Sequence, residues 1–320
     1  MPTGTALDAQ IGYVVESAYS TAATVTRFHP LVSETLSTSI DRIESKATFA
    51  GFQTLASQQW AGGNKTISGD ISHEMYDQDM GLLFRAAFGT VSTTSAGGTG
   101  THTFFPAAPS VSLTAQIGRP TIYGSIIPFT YQGLKISKWE LAVKAGEIVT
   151  WGMSVVGQEE TMGTALASAS YTANMKPWFF QSMVLSVLGT TTPVKSFKIA
   201  GDNQLAVDRR FLGSTVISEP LRQDYATYTG ELGLEWGNPS SRGTLNYAAF
   251  LGGTEGTLIS TMTSGTLAAT ITANIRFDGS TPNVSGRGIL DHMIPFKAVR
   301  SGSLEQHALT AVLVNNQVTA

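Results

Sequence analysis

The stretch SGDISHEMYDQDMGLLFRAAFG, Ser68 to Gly89, runs from a polar segment holding Asp70, His73, Glu74, Asp77 and Asp79 into an apolar, helix-like one. Whether it is a chemical site or a scaffold turns on a second stretch, TGELGLEWGNPSSRGTLNYAAFLGG, Thr229 to Gly253. Both carry a glycine in an approaching strand, Gly69 or Gly230, and both close on Ala-Ala-Phe with glycine nearby. The glycines stand 161 residues apart and Ala86 and Ala248 stand 162 apart, half of the 320 residues. A repeat at half the chain length predicts two modules, residues 1–160 and 161–320. In the second copy Asn238 is placed to cap and Pro239 to occupy the first helical position. In the first, Asp77 or Asp79 is placed to accept free amide hydrogens at the helix start, and Gly89 and Gly252 to end the two helices.

Where the copies differ, the polar residues are what changes. Asp70, His73 and Glu74 face Glu231, Leu234 and Glu235, while Asp77 and Asp79 give way to Asn238 and Ser240. The shared frame reads as scaffold, and the acidic residues as exposed strand positions and helix caps. His73-Glu74 begins like the zinc motif H-E-x-x-H, but Asp77 stands where the second histidine belongs. Asp77, Asp79 and Gly81 are spaced somewhat like a calcium loop, yet the glycine comes one place early and no bidentate glutamate follows.

Most of the remaining chain alternates like strands. The clearest hairpin, Leu134 to Gln158, puts Trp139, Leu141 and Val143 on one face, turns at Ala145-Gly146-Glu147, and returns with Val149, Trp151, Met153 and Val155 opposite Thr150, Gly152 and Ser154. Val111–Ile117, Val194–Ala200, Thr266–Phe277 and Ala308–Val314 are further strands between turn residues. The duplication extends to Ser39–Phe52 against Asp202–Ser214. It also sets the Leu134 hairpin against Ile289–Gln317, with Gln158–Ala173 as the linker. The fold class is therefore mainly β, two tandem β-sandwich or split-barrel modules, each with a short flanking helix.

Composition narrows the function. Charged residues make up 13%, against about 25% in ordinary soluble domains, so a surface largely covered by other subunits is expected. The net charge of −3 gives no basic surface for phosphate backbones. With no cysteine there is neither a disulfide framework nor a Cys-ligated zinc. The N-terminal residues lack the basic and apolar regions of a signal peptide, which implies synthesis in the cytoplasm without export, so the sequons at Asn64 and Asn283 carry no weight. No apolar run reaches the roughly 20 residues that span a bilayer.

Catalytic and cofactor motifs are missing: there is no G-x-S-x-G elbow, phosphate loop or dinucleotide fingerprint, and Gly97-Gly98-Thr99-Gly100 reads as a flexible surface loop. His29, His73, His102, His292 and His307 do not cluster along the chain and read as structural. Asp291 and His292, adjacent on a strand, point to opposite faces. Trp178-Phe179-Phe180 and Phe104-Phe105 lack interleaved cations and read as packing surfaces. Arg209, Arg210, Lys135, Lys138 and Lys144 read as solvated faces, edge protection or inter-subunit ion pairs. No catalytic, cofactor-binding or metal residue is assigned.

The N-terminal GYVVESAYSTAATVTRFHPLVSETLS, the glycine-bearing strand and capped helix of Ser68–Gly89, and the closing GSTPNVSGRGILDHMIPFKAV resemble the major tail tube proteins of long-tailed, siphovirus-like bacteriophages. That resemblance implies a structural virion protein of the tail, not an enzyme, whose inner sheets join across subunits into a pore. Rings stack around the tape measure protein, meet tail terminator and distal tail proteins, and later pass double-stranded DNA for genome ejection without binding it specifically. It also implies an arm locking ring to ring, for which Thr35–Gln59 is the candidate. Two modules per chain predict a homotrimeric ring with pseudo-sixfold symmetry, with a homohexamer as the alternative. A free β-sandwich binding or adhesion module, for carbohydrate or a cell surface, is the competing class.

Overall fold

The computed structural model describes residues 4–237, 242–279, 281–284, 286–301 and 307–319, with side chains of the second helix from Asn246 onward. In the first half it contains β1 (Gln10–Val15), β2 (Arg27–His29), β3 (Ser33–Glu34), β4 (Ser37–Glu44), β5 (Trp60–Glu74), α1 (Gly81–Phe88), β6 (Gly89–Ala96), β7 (Thr99–Pro106), β8 (Leu113–Pro120), β9 (Ile126–Lys144), β10 (Thr150–Gly157) and β11 (Glu159–Thr161). The second half contains β12 (Met183–Val187), β13 (Thr190–Thr191), β14 (Ser196–Asp202), β15 (Thr227–Glu235), α2 (Arg242–Gly252), β16 (Glu255–Ser264), β17 (Leu267–Phe277), β18 (Asp291–Ala298) and β19 (Leu309–Asn315). The fold is mainly β, one antiparallel sheet system that does not close into a barrel.

The pairing pattern is written twice. In the first half β1 pairs with β2 and β8, β4 with β5, β5 with β10, and β9 with β8, β10 and β11. In the second, β12 pairs with β13 and β16, β14 with β15, β15 with β18, and β17 with β16, β18 and β19. Each pairing in one set has a counterpart in the other. The registers agree as well: Gly69 faces Val155 and Gly230 faces Phe296, while Val155 faces Ile136 and Phe296 faces Phe277. The hairpin β6–β7 has no counterpart.

Long strands make this arrangement possible. The N-terminal part of β9 pairs with β8 and β11 and its C-terminal part with β10, so one 19-residue strand belongs to two rows at once. Two pairings then join the halves: β9 with β14, Leu141 facing Ile199, and β19 with β7, Ala311 facing Phe104. A row β4–β5–β10–β9–β14–β15–β18 results, and its apolar side meets the other strands in one continuous core.

The helix α1 fills that core between β10 and β7. Phe84 stacks on Trp151 at 4.6 Å and meets Phe104 at 5.6 Å, Phe88 lies 4.9 Å from Trp139, and the indoles of Trp139 and Trp151 stack at 5.3 Å and 11°. Apart from Arg85, α1 is buried, so it needs no polar face and no charge ladder.

Several expectations are corrected. The residue at the N-terminus of α1 is Met80, without a side-chain cap. Asp77 and Asp79 are buried and turned elsewhere: Asp77 Oδ1 accepts from the Lys176 amide at 2.9 Å, and Asp79 accepts from the Gln317 amide side chain and sits 3.6 Å from Arg27. Strapping the C-terminal strand and residue 176 to the helix start outranks capping there. Gly89, at φ 98°, does end α1, where a Cβ would meet the carbonyls of Ala107 and Ala108. For α2 the left-handed residue is Gly253, one place later than Gly252. Asn238, Pro239 and Ser240 lie outside the described residues.

The repeat is also realigned. Within Ile289–Gln317, β18 and β19 do not pair with each other; β18 takes the place of β10 and β19 that of β11. The first strand of the matching hairpin is thus the end of β17. Ser39 and Asp202 do correspond, but β4 continues to Glu44 whereas the chain leaves the sheet after Asp202. Gly97 and Gly98 form the two-residue turn of the β6–β7 hairpin, not a flexible loop. The linker is strapped down, with Gln116 bonding Ala165 O and Ala167 N at 2.9 and 2.7 Å.

Gly69 and Gly230 matter because strands crowd them. A Cβ on Gly69 would come within 2.5 Å of the Leu36 backbone, and one on Gly230 within 2.4 Å of Lys198 O and 2.2 Å of the Phe296 ring. Backbone cannot yield as a side-chain tip can. Gly69→Ala is expected to destabilise the protein by about 2 kcal/mol, measured as a fall in denaturant midpoint, whereas Gly152→Ala, where nothing lies within 4 Å, leaves it near wild type.

Candidate assembly interface

The solvent face of the central strands β5, β10, β9, β14 and β15 is lined by polar and small groups. Every second residue points outward, and these are small or charged: Ser72 and Asp70 on β5, Thr150, Gly152 and Ser154 on β10, Glu140 and Lys138 on β9, Asp202 on β14, Thr227 and Thr229 on β15. They line a trough of about 550 Å³. Three lysines on this face are held in ion pairs. Lys138 pairs with Asp202 at 3.1 Å and Lys198 with Glu140 at 2.6 Å, both across the β9–β14 joint, and Lys195 reaches Asp291 at 2.7 Å and Glu235 at 3.0 Å. Exposed pairs of this kind add little stability. Their effect is to leave no unopposed cation among these three lysines.

At one end of the row stands an arm. β4, residues 45–59 and the start of β5 form an exposed projection that carries Ile43, Phe49, Phe52 and Leu55 into solvent, with the Arg42 guanidinium 5.7 Å from the Trp60 ring. Phe52 is 74% exposed, an unusual position for phenylalanine unless something covers it. The base of the arm is propped by the loop after β14. Lys65 N donates to Thr215 O at 2.8 Å, and Arg210 donates to Lys65 O at 2.9 Å and to Thr66 Oγ1 at 2.8 Å.

Arg209 and Arg210, both half-buried, donate to backbone and hydroxyl groups within the chain. Lys135 is buried, its Nζ bonded to Pro109 O at 3.0 Å and to Glu219 at 2.6 Å, because β9 turns its side chain beneath the loop that follows β14. Trp178 is core, while Phe179 and Phe180 remain partly exposed.

The histidines are likewise not all apart. His29 on β2 and His73 on β5 lie 5.6 Å from each other, and Tyr13 on β1 meets both rings. His73 Nδ1 is 2.7 Å from Pro30 O, which only accepts, so Nδ1 carries the hydrogen and Nε2 accepts from the Tyr13 hydroxyl at 2.9 Å. Burial lowers the His73 pKa to about 4, despite the opposing pull of the Pro30 carbonyl. His29 is pushed well below the ordinary imidazole range by burial first, then by His73 and Arg27. With 44 positions between them, only the strand pairing reveals this pair. Glu16 was equally invisible: buried, it accepts from Ser112 and Thr114 hydroxyls and from the Ser20 and Gly133 amides, fastening β1 to β8 and β9.

Among the described residues no three His, Asp or Glu side chains converge on a common ion site. Asp70 and Glu74 stay on the outer face, His73 on the inner one, and Asp77 and Asp79 beside α1. Asp291 and His292 point apart, His292 packing against Trp236 and Tyr247 at 5.6 and 5.9 Å.

A family model described as phage tail tube protein matches residues 6–298, from the first turn before β1 to the end of β18. The chain belongs to the phage tail tube protein family. As a tail tube protein it is a structural component of the virion tail, and the resemblance in the sequence is thereby established. A search of curated proteins finds no match. Among the described residues of the tail tube protein no helix is long and apolar enough to cross a membrane.

The buried imidazoles give the tube protein an acid dependence. The unfolded chain, with imidazoles near 6.5, binds protons that the folded chain refuses, so stability is present above 6.5 and falls as pH drops toward 4. His73 alone accounts for roughly 3 kcal/mol across that window. Urea titrations at pH 7 and pH 4.5 are expected to show a smaller acid loss in His73→Gln than in the wild type.

Proposed function

We propose that the chain is the repeating subunit of the tail tube, assembling into closed rings that stack into a channel for genome delivery. The observation that carries this is the joint between β9 and β14. Two units with the same pairing pattern already sit side by side in one row through that joint. Among the described residues the same row ends on borders without a full strand partner, the outer side of β4 and β18 before Pro295, which identical neighbours around an axis would satisfy. We take residues 1–160 and 161–320 as duplicated modules, so that three chains make a ring of six.

The trough face of the row is our choice for the channel lining. Small side chains and lysines held by carboxylates suit a wall along which a polyanion slides, since free cations would capture phosphates. The tape measure protein occupies that channel before ejection, and terminator and distal tail proteins cap the stack. The apolar arm projects from the ring edge and supplies the contact to the next ring.

Negative-stain microscopy of the purified chain is expected to show rings, and stacked tubes at higher concentration. A stable monomer at high concentration would favour the free binding module instead. Replacing Phe52 and Trp60 by Ser removes about 2 kcal/mol of burial per aromatic at a ring contact. That double variant is expected to keep rings and lose tubes, seen as a sedimentation peak that no longer grows with concentration.

A further inference from the structure

We infer that the joint between neighbouring copies repeats the β9–β14 joint: Gly279 and Thr281 to Val284, which follow β17 and are in no strand of the single chain, insert between their own β18 and β4 of the next copy. This rests on the ring reading above and names its contact.

The single chain leaves one pairing short. The C-terminal half of β9 is held between β10 and β14, from Lys138 facing Asp202 to Lys144 facing Ser196. The counterpart of β9 is β17, whose pairing with β18 covers only Ile275 to Phe277. One further bond, Asp278 N to Pro295 O at 2.9 Å, continues that ladder, after which described residues Gly279 and Thr281 to Val284 are in no strand. Among the described residues the outer border of β18 before Pro295 has no strand partner, nor has the outer border of β4.

Chain length fits the missing strand. Ile136 to Val155 and Phe277 to Phe296 span the same 19 steps, and each is the pair that closes its hairpin. The turn at Ala145-Gly146-Glu147 falls opposite Gly286, Arg287 and Gly288. Side-chain burial tells the same story. Val143, seven places after Ile136, is 7% exposed, whereas Val284, seven places after Phe277, is 82% exposed. An uncovered valine where its counterpart is core marks a side that a neighbour must cover.

Strand direction requires this strand. Following the antiparallel steps along the row, β4 and β18 run the same way, so direct contact between copies would be a parallel pair in an otherwise antiparallel sheet. A strand continuing β17 runs opposite to both. Pro282, where the first copy has Leu141, cannot donate to the ladder and disfavours a strand paired on both sides, so this contact lacks one hydrogen bond that the β9–β14 joint has.

The chain has no cysteine, which makes the contact testable by disulfides. Ser37 faces Ser68 and Ala200 faces Thr229, each one place before the equivalent glycine, so Ser37 corresponds to Ala200; Ala200 faces Glu140, whose counterpart is Thr281. In the double variant Ser37→Cys/Thr281→Cys, oxidised rings are expected to yield covalent multimers up to the ring size on a non-reducing gel. Each single variant, and Thr38→Cys/Thr281→Cys with the face reversed, stays monomeric there. Should the first double variant fail to assemble, Ser39→Cys/Gly279→Cys, the equivalent of the Asp202 and Lys138 pair, decides. Rings seen by microscopy without disulfide from either pair overturn this contact and leave the ring reading standing. Wild-type protein that forms no rings overturns both.

Discussion

A strand that belongs to two rows at once is the constraint on which this molecule depends. β9 spends its first half beside β8 and β11 and its second beside β10 and β14. Backbone donors and acceptors on both borders are thereby satisfied along most of its length, and buried backbone groups must be paired. Because β9 bends between rows, the apolar faces of both rows look into one core. The aromatic stack of Trp139, Trp151, Phe84 and Phe88 sits on that strand and its partner β10, with α1 wedged over it.

The second unit uses the same plan with different filling. Trp151 on β10 faces His73 on β5; at the equivalent places His292 on β18 faces Leu234 on β15. An aromatic beside a polar ring thus becomes a polar ring beside an aliphatic, while strand order and register persist. Backbone pairing tolerates this because it depends on spacing and direction, and the side chains only need to fill the volume between rows. The hairpin β6–β7 and the short pairing β3–β5 have no counterpart, and β7 gives β19 a partner from the N-terminal half. The strand pairings β9–β14 and β19–β7 tie the N- and C-terminal strands together around one shared core.

The family's role in a virion tail and the surface chemistry of this chain fit together physically. A protein with 13% charged residues leaves few groups to solvate a free surface, and the arm adds the exposed apolar groups of Ile43, Phe49, Phe52 and Leu55. Three of the lysines on the trough face are each bound by carboxylates. The buried histidines, by contrast, serve the fold: a fixed tautomer of His73 links the Pro30 carbonyl to the Tyr13 hydroxyl.

Much was legible in the residues themselves. Alternation over Leu134–Gln158, the two Ala-Ala-Phe helices and the equivalent glycines Gly69 and Gly230 are local or evenly spaced features, and local spacing is what a linear chain displays. The register of Ser39 with Asp202 was readable for the same reason. Other assignments depended on which strands become neighbours. Lys135 looked solvated until the loop after β14 covered it; Asp77 and Asp79 looked like caps until the Lys176 amide and Gln317 claimed them; His29 and His73 looked isolated until β2 and β5 met around Tyr13. The equation of β18 with β10 required the pairings themselves, because two apolar alternating strands are interchangeable by pattern alone. Sequence alone determined the mainly β class, since periodicity is a property of the chain. Only the tertiary structure decided burial, partners and which borders stay open, since those are set by contacts between residues far apart in the chain.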